Sequence, residues 1–347
     1  MRILLIGGTG FIGSYLAPEL QRQGAEVATL TRGVTTIPHA DGLTRITGDR
    51  KNLRDALPAI RAFAPDVVID LVLSSGKQAR ELLNVVRGIA SRVVEVSSID
   101  VYRACGVLHG LEEGPLEPVP LTEDSALRTK LSTYPPAQIK VLQNVFAWVD
   151  DDYDKIPVER AVLGDDAIAG TVLRLPMVYG PGDALHRLWP LVKRMEDQRP
   201  AIVMDAELAA WRGPRGFVEN VALAIALAAM SDRAAGRVYN VADRDPYTEL
   251  EWARKVANVA KWNGQFVVLP PDETPVHLRI PGNLAQHWAA DSTRIREELG
   301  YAERVGVDEA IRRTIAWERA NPPATPIAVI DYAAEDAAIE KASARSE

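Results

Sequence analysis

The chain holds a single cysteine, Cys105, among 347 residues. That excludes an internal disulfide and any cysteine-rich metal centre. Histidine is scarce as well, at five, and His186, His277 and His287 stand at no metal-ligand spacing, so no metal is expected. No apolar run approaches the roughly 18 residues of a membrane span. A basic excess is missing: 40 Lys and Arg face 47 Asp and Glu, a formal net charge of −7. That balance speaks against nucleic-acid and membrane-surface binding, which lean on cationic surface. No G-x-S-x-G occurs, so a nucleophile-elbow hydrolase is not supported. The opening MRILLIGGTG has too short an apolar run for a signal peptide and meets glycines where a cleavage region belongs. A cytoplasmic protein with a small-molecule substrate is the expectation.

What is present is strand–helix alternation. Short β-branched runs stand at residues 2–6, 26–30, 44–47, 66–71 and 92–97, with further strands at 170–175 and 237–241. Helix-like stretches at 12–23, 53–64 and 78–90 lie between the early ones. Near-continuous apolar strands separated by helices predict a parallel sheet covered on both faces. From Pro176 onward proline-bearing loops and shorter elements take over, as in RLPMVYGPGD and VVLPPDETPVHLRIPG. The fold expected is α/β, a Rossmann-type doubly wound parallel sheet with a smaller, partly interleaved C-terminal substrate-binding domain. Residues 1–175 form the dinucleotide-binding part, with an insertion at about 106–152 and a returning strand at about 215–242. Residues 176–214 and 243–325 form the substrate-binding lid, and 326–347 a peripheral tail.

The most informative motif is GGTGFIG, between the first strand and the helix that follows it. Gly7 permits the tight turn, Gly10 lets the backbone approach a pyrophosphate, and Gly13 lets helix and strand pack closely. The helix N-terminus then offers free amides and a positive dipole end to phosphates. Thr9, Phe11 and Ile12 complete the loop. An NAD site normally puts an acid at the end of the second strand, about 20 residues past the glycines. Thr31 and Arg32 stand there instead. A threonine does not repel a 2′-phosphate and a guanidinium can pair with one, so NADP(H) is favoured, with NAD the alternative. Asp49 and Arg50 follow the third strand at the adenine end, where Asp49 could equally cap a helix. Leu71 and Val72 end the fourth strand as an apolar wall for the cofactor.

Several segments together resemble the extended short-chain dehydrogenase/reductase family, the NAD(P)-dependent epimerase/dehydratase-like group. They are MRILLIGGTGFIG, PDVVID, VVEVSSIDVY, KIPVERAVLG, VLRLPMVYGPGD, RGFVENVALAIALA, GRVYNVAD and DSTRIREELGY, in the family's order up to about Asn321. The resemblance implies a Ser/Thr–Tyr–Lys site, with the last two as YxxxK on one helix face. The tyrosine moves the proton, and the lysine and nicotinamide charge lower its pKa toward the working range. Carried over, Ser98 is the catalytic serine, beside Ser97 at the cofactor. Lys155 is the lysine that meets the nicotinamide ribose, and Pro176 and Tyr179 lie near the nicotinamide. Arg215 matches a position that meets an acidic substrate group, or makes a structural ion pair. Tyr102 and Tyr134 are further substrate-side candidates.

The pattern breaks at the tyrosine. Asp151 stands four residues before Lys155, and no YxxxK occurs. Pro157 fits only a first helical turn, so that helix is expected to start near Asp154. Tyr153 is the first candidate for the missing phenol and Tyr134 the second, with Asp151 itself ranked below both. The reading is an NADP(H)-dependent oxidoreductase or epimerase acting on a sugar nucleotide or related hydroxyl/carbonyl metabolite. The alternative is a catalytically degenerate relative serving as a dinucleotide-binding redox sensor or an RNA-binding or scaffold protein. A homodimer is consistent with the resemblance.

Overall fold

The computed structural model describes residues 1–33, 42–132, 134–325 and 328–345. Among these, the strands in chain order are β1 (Arg2–Ile6), β2 (Glu26–Thr31), β3 (Thr44–Thr47), β4 (Val67–Asp70), β5 (Arg92–Ser98) and β6 (Ala169–Leu175). They continue with β7 (Met177–Tyr179), β8 (Ala201–Asp205), β9 (Arg215–Phe217), β10 (Val238–Asn240) and β11 (Gln265–Leu269). Seven form one sheet in the order β10-β6-β5-β4-β1-β2-β3, every pair parallel. The order reverses between β1 and β4. In open α/β sheets, ligands bind at such a switch point, beyond the carboxyl ends of the strands.

The strands are apolar at successive positions because both faces are covered. On β1, Ile3 and Leu5 enter one core and Leu4 and Ile6 the other. The first core packs helices Phe11–Arg22 and Val218–Met230 against the sheet. Ten of the thirteen residues in the second of these are buried, and beyond Glu219 and Asn220 its sequence is apolar all round, as an interior helix requires. The second core holds helices Leu57–Phe63, Gly76–Val86 and Lys155–Leu163. Burying one leucine-sized side chain in either core contributes about 1.5–3 kcal/mol.

Two small parallel sheets, β7 with β9 and β8 with β11, lie past Pro176. The stretch 215–242 is strand, helix and strand: β9 joins β7, and only β10 returns to the central sheet. The long insertion contains helix Pro136–Val145 and is pinned at several points. Arg103 N donates to Ala126 O (2.8 Å), and Leu121 N to Ala289 O (2.8 Å). The tail is helix Tyr332–Ser343; residues 326, 327, 346 and 347 of it lie outside the described residues. No described helix is long and apolar enough to cross a membrane.

Candidate active site

The glycine loop is built by local geometry. Gly7 has φ +85°, and a Cβ there would sit 2.8 Å from Val72 Cγ1. At Gly13 a Cβ would fall 2.4 Å from Gly7 O and 2.6 Å from the Gly8 backbone, so loop and helix touch backbone to backbone. Gly10 caps helix Phe11–Arg22 without any side-chain bond, which leaves the first-turn amides open. A diphosphate fits such a terminus.

One cavity of ≈ 270 Å³ runs from this loop to Ser98, Tyr153, Lys155 and Pro176, with Ser97 and Leu71 on its wall. A second of ≈ 550 Å³ continues from Gly7, Thr9 and Gly10 to Thr31, Arg32, Asp49, Arg50 and Lys51. Both share Phe11 and Val72. The two cavities form one continuous cleft that passes the glycine loop, with Ser98 at one end and Arg32 at the other. Its outer wall comes from the insertion: Phe146 and Trp148 line both cavities, their rings 5.7 Å apart. These two aromatics were not singled out in the sequence. The only signal was an aromatic pair in a segment without strand or helix pattern.

At the end of the cleft lined by Thr31 and Arg32, Asp49 is the helix cap, accepting from Lys51 N at 2.9 Å. Arg50 points inward: it is buried, ion-paired with Asp70 (2.8 Å), and donates to Gln78 O (2.9 Å). It supports the cleft floor rather than offering a free cation. Thr31 accepts from Gly33 N (3.1 Å), and Arg32 is exposed on the rim.

At the other end, Asp154 caps helix Lys155–Leu163 by accepting from Ile156 N (2.8 Å), which places Lys155 in the first turn. Lys155 is buried. Its ammonium donates to Val96 O (2.7 Å) and Leu73 O, and lies 3.7 Å from Glu95 Oε1. Glu159, one turn on, accepts from Ser97 (2.6 Å) and pairs with Arg174. Glu95 is wholly buried without a hydrogen bond, and burial pushes its carboxyl up to about 8.

The two tyrosine candidates meet at one carboxyl. Tyr153 and Tyr134 both donate to Asp100 Oδ2, at 3.4 and 3.3 Å, and their rings stand 5.9 Å apart. Burial, and then Asp100, push both phenols well above the ordinary tyrosine range. Burial also raises Asp100. Asp100 was missed because its position, two past Ser98, reads as a turn residue. Asp151 is no substitute for the tyrosine: it is exposed and paired with Lys140 (2.9 Å), which lowers its carboxyl.

Two expected site residues, Tyr102 and Tyr179, are placed elsewhere, and Arg215 lies outside the cofactor cleft. Tyr102 is fully buried, its hydroxyl donating to Asn240 Oδ1 (2.6 Å) and accepting from Arg174 (2.9 Å), so it faces no substrate. Tyr179 is turned from the cofactor cleft into a neighbouring cavity, packed on Phe217 and Trp252. Alternation along β7 is the reason, since Val178 takes the cleft side. Arg215 lines that same neighbouring cavity but is ion-paired with Glu249 and lies 4.8 Å over the Trp252 ring. Among the described residues no His/Cys/Asp/Glu group could hold a metal.

A switch-point cleft, an open glycine-rich helix terminus and a lysine anchored at its far end define a dinucleotide-binding protein of the doubly wound α/β class. Residues 3–242 match the NAD dependent epimerase/dehydratase family, and the chain belongs to it. The uncharacterized protein y4nL of Sinorhizobium fredii is 26% identical over 47% of this chain, which spans about half (52%) of that relative's length. The dTDP-6-deoxy-L-talose 4-dehydrogenase (NAD(P)(+)) of Kitasatospora kifunensis is 27% identical over 90% of this chain and 93% of its own. The UDP-glucose-4-epimerase structure from Stenotrophomonas maltophila, holding NAD and formylated UDP-arabinopyranose, superposes with TM-score 0.66. It covers 92% of this chain and 98% of its own at 19% identity, a likeness of fold.

Proposed function

We propose that the protein is an NADP(H)-dependent oxidoreductase that interconverts a carbonyl and a hydroxyl in a small metabolite. The observation that carries this is the convergence of Ser98, Tyr153 and Lys155 on the cleft whose opposite wall is the glycine loop. A bound nicotinamide would supply or take up the hydride. The remaining work falls to this chain. Ser98 hydrogen-bonds the substrate oxygen and fixes its direction. Tyr153, kept protonated by burial and by Asp100, donates a proton to that oxygen as the carbonyl is reduced. The phenolate left behind takes its proton back from water entering the cleft, and Asp100 remains the acceptor that orients the phenol. Lys155, anchored on two carbonyls, holds the ribose. Arg32 and Lys51 at the adenosine end support NADP(H), since the nearby Asp49 carboxylate is committed to its cap.

One observation favours a second reading, a catalytically silent dinucleotide sensor or scaffold. The residue four before Lys155 is the exposed Asp151, and Lys155 contacts carbonyls and Glu95 rather than a phenol. Titration with NADPH and NADH, followed by nicotinamide fluorescence and repeated with Arg32→Ala, separates the cases. NADPH should bind more tightly than NADH, with a loss of about tenfold in the variant. NADPH should also be consumed with a panel of aldehydes and ketones. Binding without consumption would support the sensor reading. Binding of neither nucleotide would remove the enzyme reading.

A further inference from the structure

Beside the cofactor cleft lies a cavity of ≈ 530 Å³. The two spaces meet at Arg187, which lines both, and along β7. The walls are apolar and aromatic, among them Met177, Tyr179, Leu191, Trp211, Trp252 and Leu284. Trp211 is not open to a ligand through its ring nitrogen, which donates to Gln286 O (2.9 Å).

Three arginines line this cavity, and each is already neutralised. Arg187 pairs with Asp183 (2.7 Å) and donates to Val178 O (2.9 Å). Arg194 makes two bonds to Glu335 of the C-terminal helix, 3.0 and 2.6 Å, and a third to Pro190 O (2.7 Å). Arg215 pairs with Glu249. A further carboxylate on the wall, Asp205, caps a short helix by accepting from Glu207 N (2.9 Å) and Leu208 N (3.2 Å). Asp205 and Glu249 line the cavity themselves, while Asp183 and Glu335 stand behind Arg187 and Arg194, so every guanidinium on the wall already has a carboxylate partner. A nucleoside diphosphate is a polyanion. To bind it, an arginine would have to leave its partner, and Glu335 would then be a fully buried carboxylate with only His277 (3.1 Å) beside it. An uncharged ring system asks for none of this and gains from the aromatic walls.

We propose that this cavity takes an uncharged aromatic or alicyclic carbonyl compound, or the corresponding alcohol, in place of a nucleoside-diphosphate sugar. The chemistry done on that compound rests on the hydride-transfer reading above; the binding preference rests on the cavity alone.

The test uses the full chain and the neutral fluorophore N-phenyl-1-naphthylamine. The probe should bind with enhanced emission and stay bound in excess UDP-glucose or dTDP-glucose. A carboxylate in the wall, Leu191→Glu, should weaken it by about tenfold. Ile280→Glu, at a half-exposed rim position that does not threaten folding, should weaken it as well, with NADPH affinity unchanged in both. Displacement of the probe by either sugar nucleotide, or absence of probe binding, would overturn the proposal. NADPH titration in the same samples keeps the two readings apart. Probe binding without NADPH binding supports the cavity preference while removing the hydride-transfer reading.

Discussion

Glu95 offers the sharpest quantitative test of how the site is held. It lies beneath Lys155 with both carboxyl oxygens buried and without hydrogen bonds. Burial is the main cause that pushes it from 4.5 up to about 8, with Glu159 and Asp70 adding to the rise and Lys155 and Arg174 opposing it. A carboxyl raised in the folded state favours folding fully below pH 4.5, and that contribution fades as pH climbs toward about 8. Within that window each pH unit shifts stability by about 1.4 kcal/mol. Glu95→Gln keeps the shape and removes the titration. Wild type should therefore lose about 2–3 kcal/mol relative to Glu95→Gln between roughly pH 5.5 and 7.5. Urea unfolding of both proteins at those two pH values, without nucleotide, reads the difference. Were wild type to gain on the variant as pH rises, Glu95 would be an ionised partner of Lys155, and the account of a neutral carboxyl under the ammonium would be refuted.

Gly13→Ala should abolish NADPH binding while the protein stays folded by circular dichroism, because its Cβ would meet Gly7 O at 2.4 Å; nucleotide binding at wild-type strength would show that the loop does not hold the pyrophosphate. Ser98→Ala should lower turnover by about two orders of magnitude with NADPH affinity held within about twofold, and unchanged turnover would remove Ser98 from the chemistry. Glu335→Ala leaves Arg194 buried without its carboxylate and should cost about 3–5 kcal/mol in urea unfolding. A cost below about 1 kcal/mol would mean the C-terminal helix is not clamped to the cavity wall.

Much of this molecule is set by neighbours in sequence. The glycine loop, its preceding strand and its following helix are local features, and the steric demands at Gly7 and Gly13 act within a few residues and on the adjoining strand. The alternation of strands and helices follows from apolar patterning, which fixes how many faces each element must bury. Even the start of the Lys155 helix was legible, because Pro157 tolerates only a first turn and Asp154 is a ready cap. Function beyond the cofactor is another matter, because it depends on where a side chain points after the chain has folded. Tyr102 and Tyr179 look like site residues in one dimension, yet one is sealed against Asn240 and Arg174 and the other faces a different cavity across β7. Phe146 and Trp148 gain a role only when the insertion folds over the cleft. The charge of the cavity beside the cofactor cleft is likewise decided by pairs far apart in the chain, Arg194 with Glu335 and Arg215 with Glu249. Spacing within a segment is governed by local sterics and is written in the sequence. Pairing across 34 or 141 residues is governed by tertiary packing, and only the folded structure decides it.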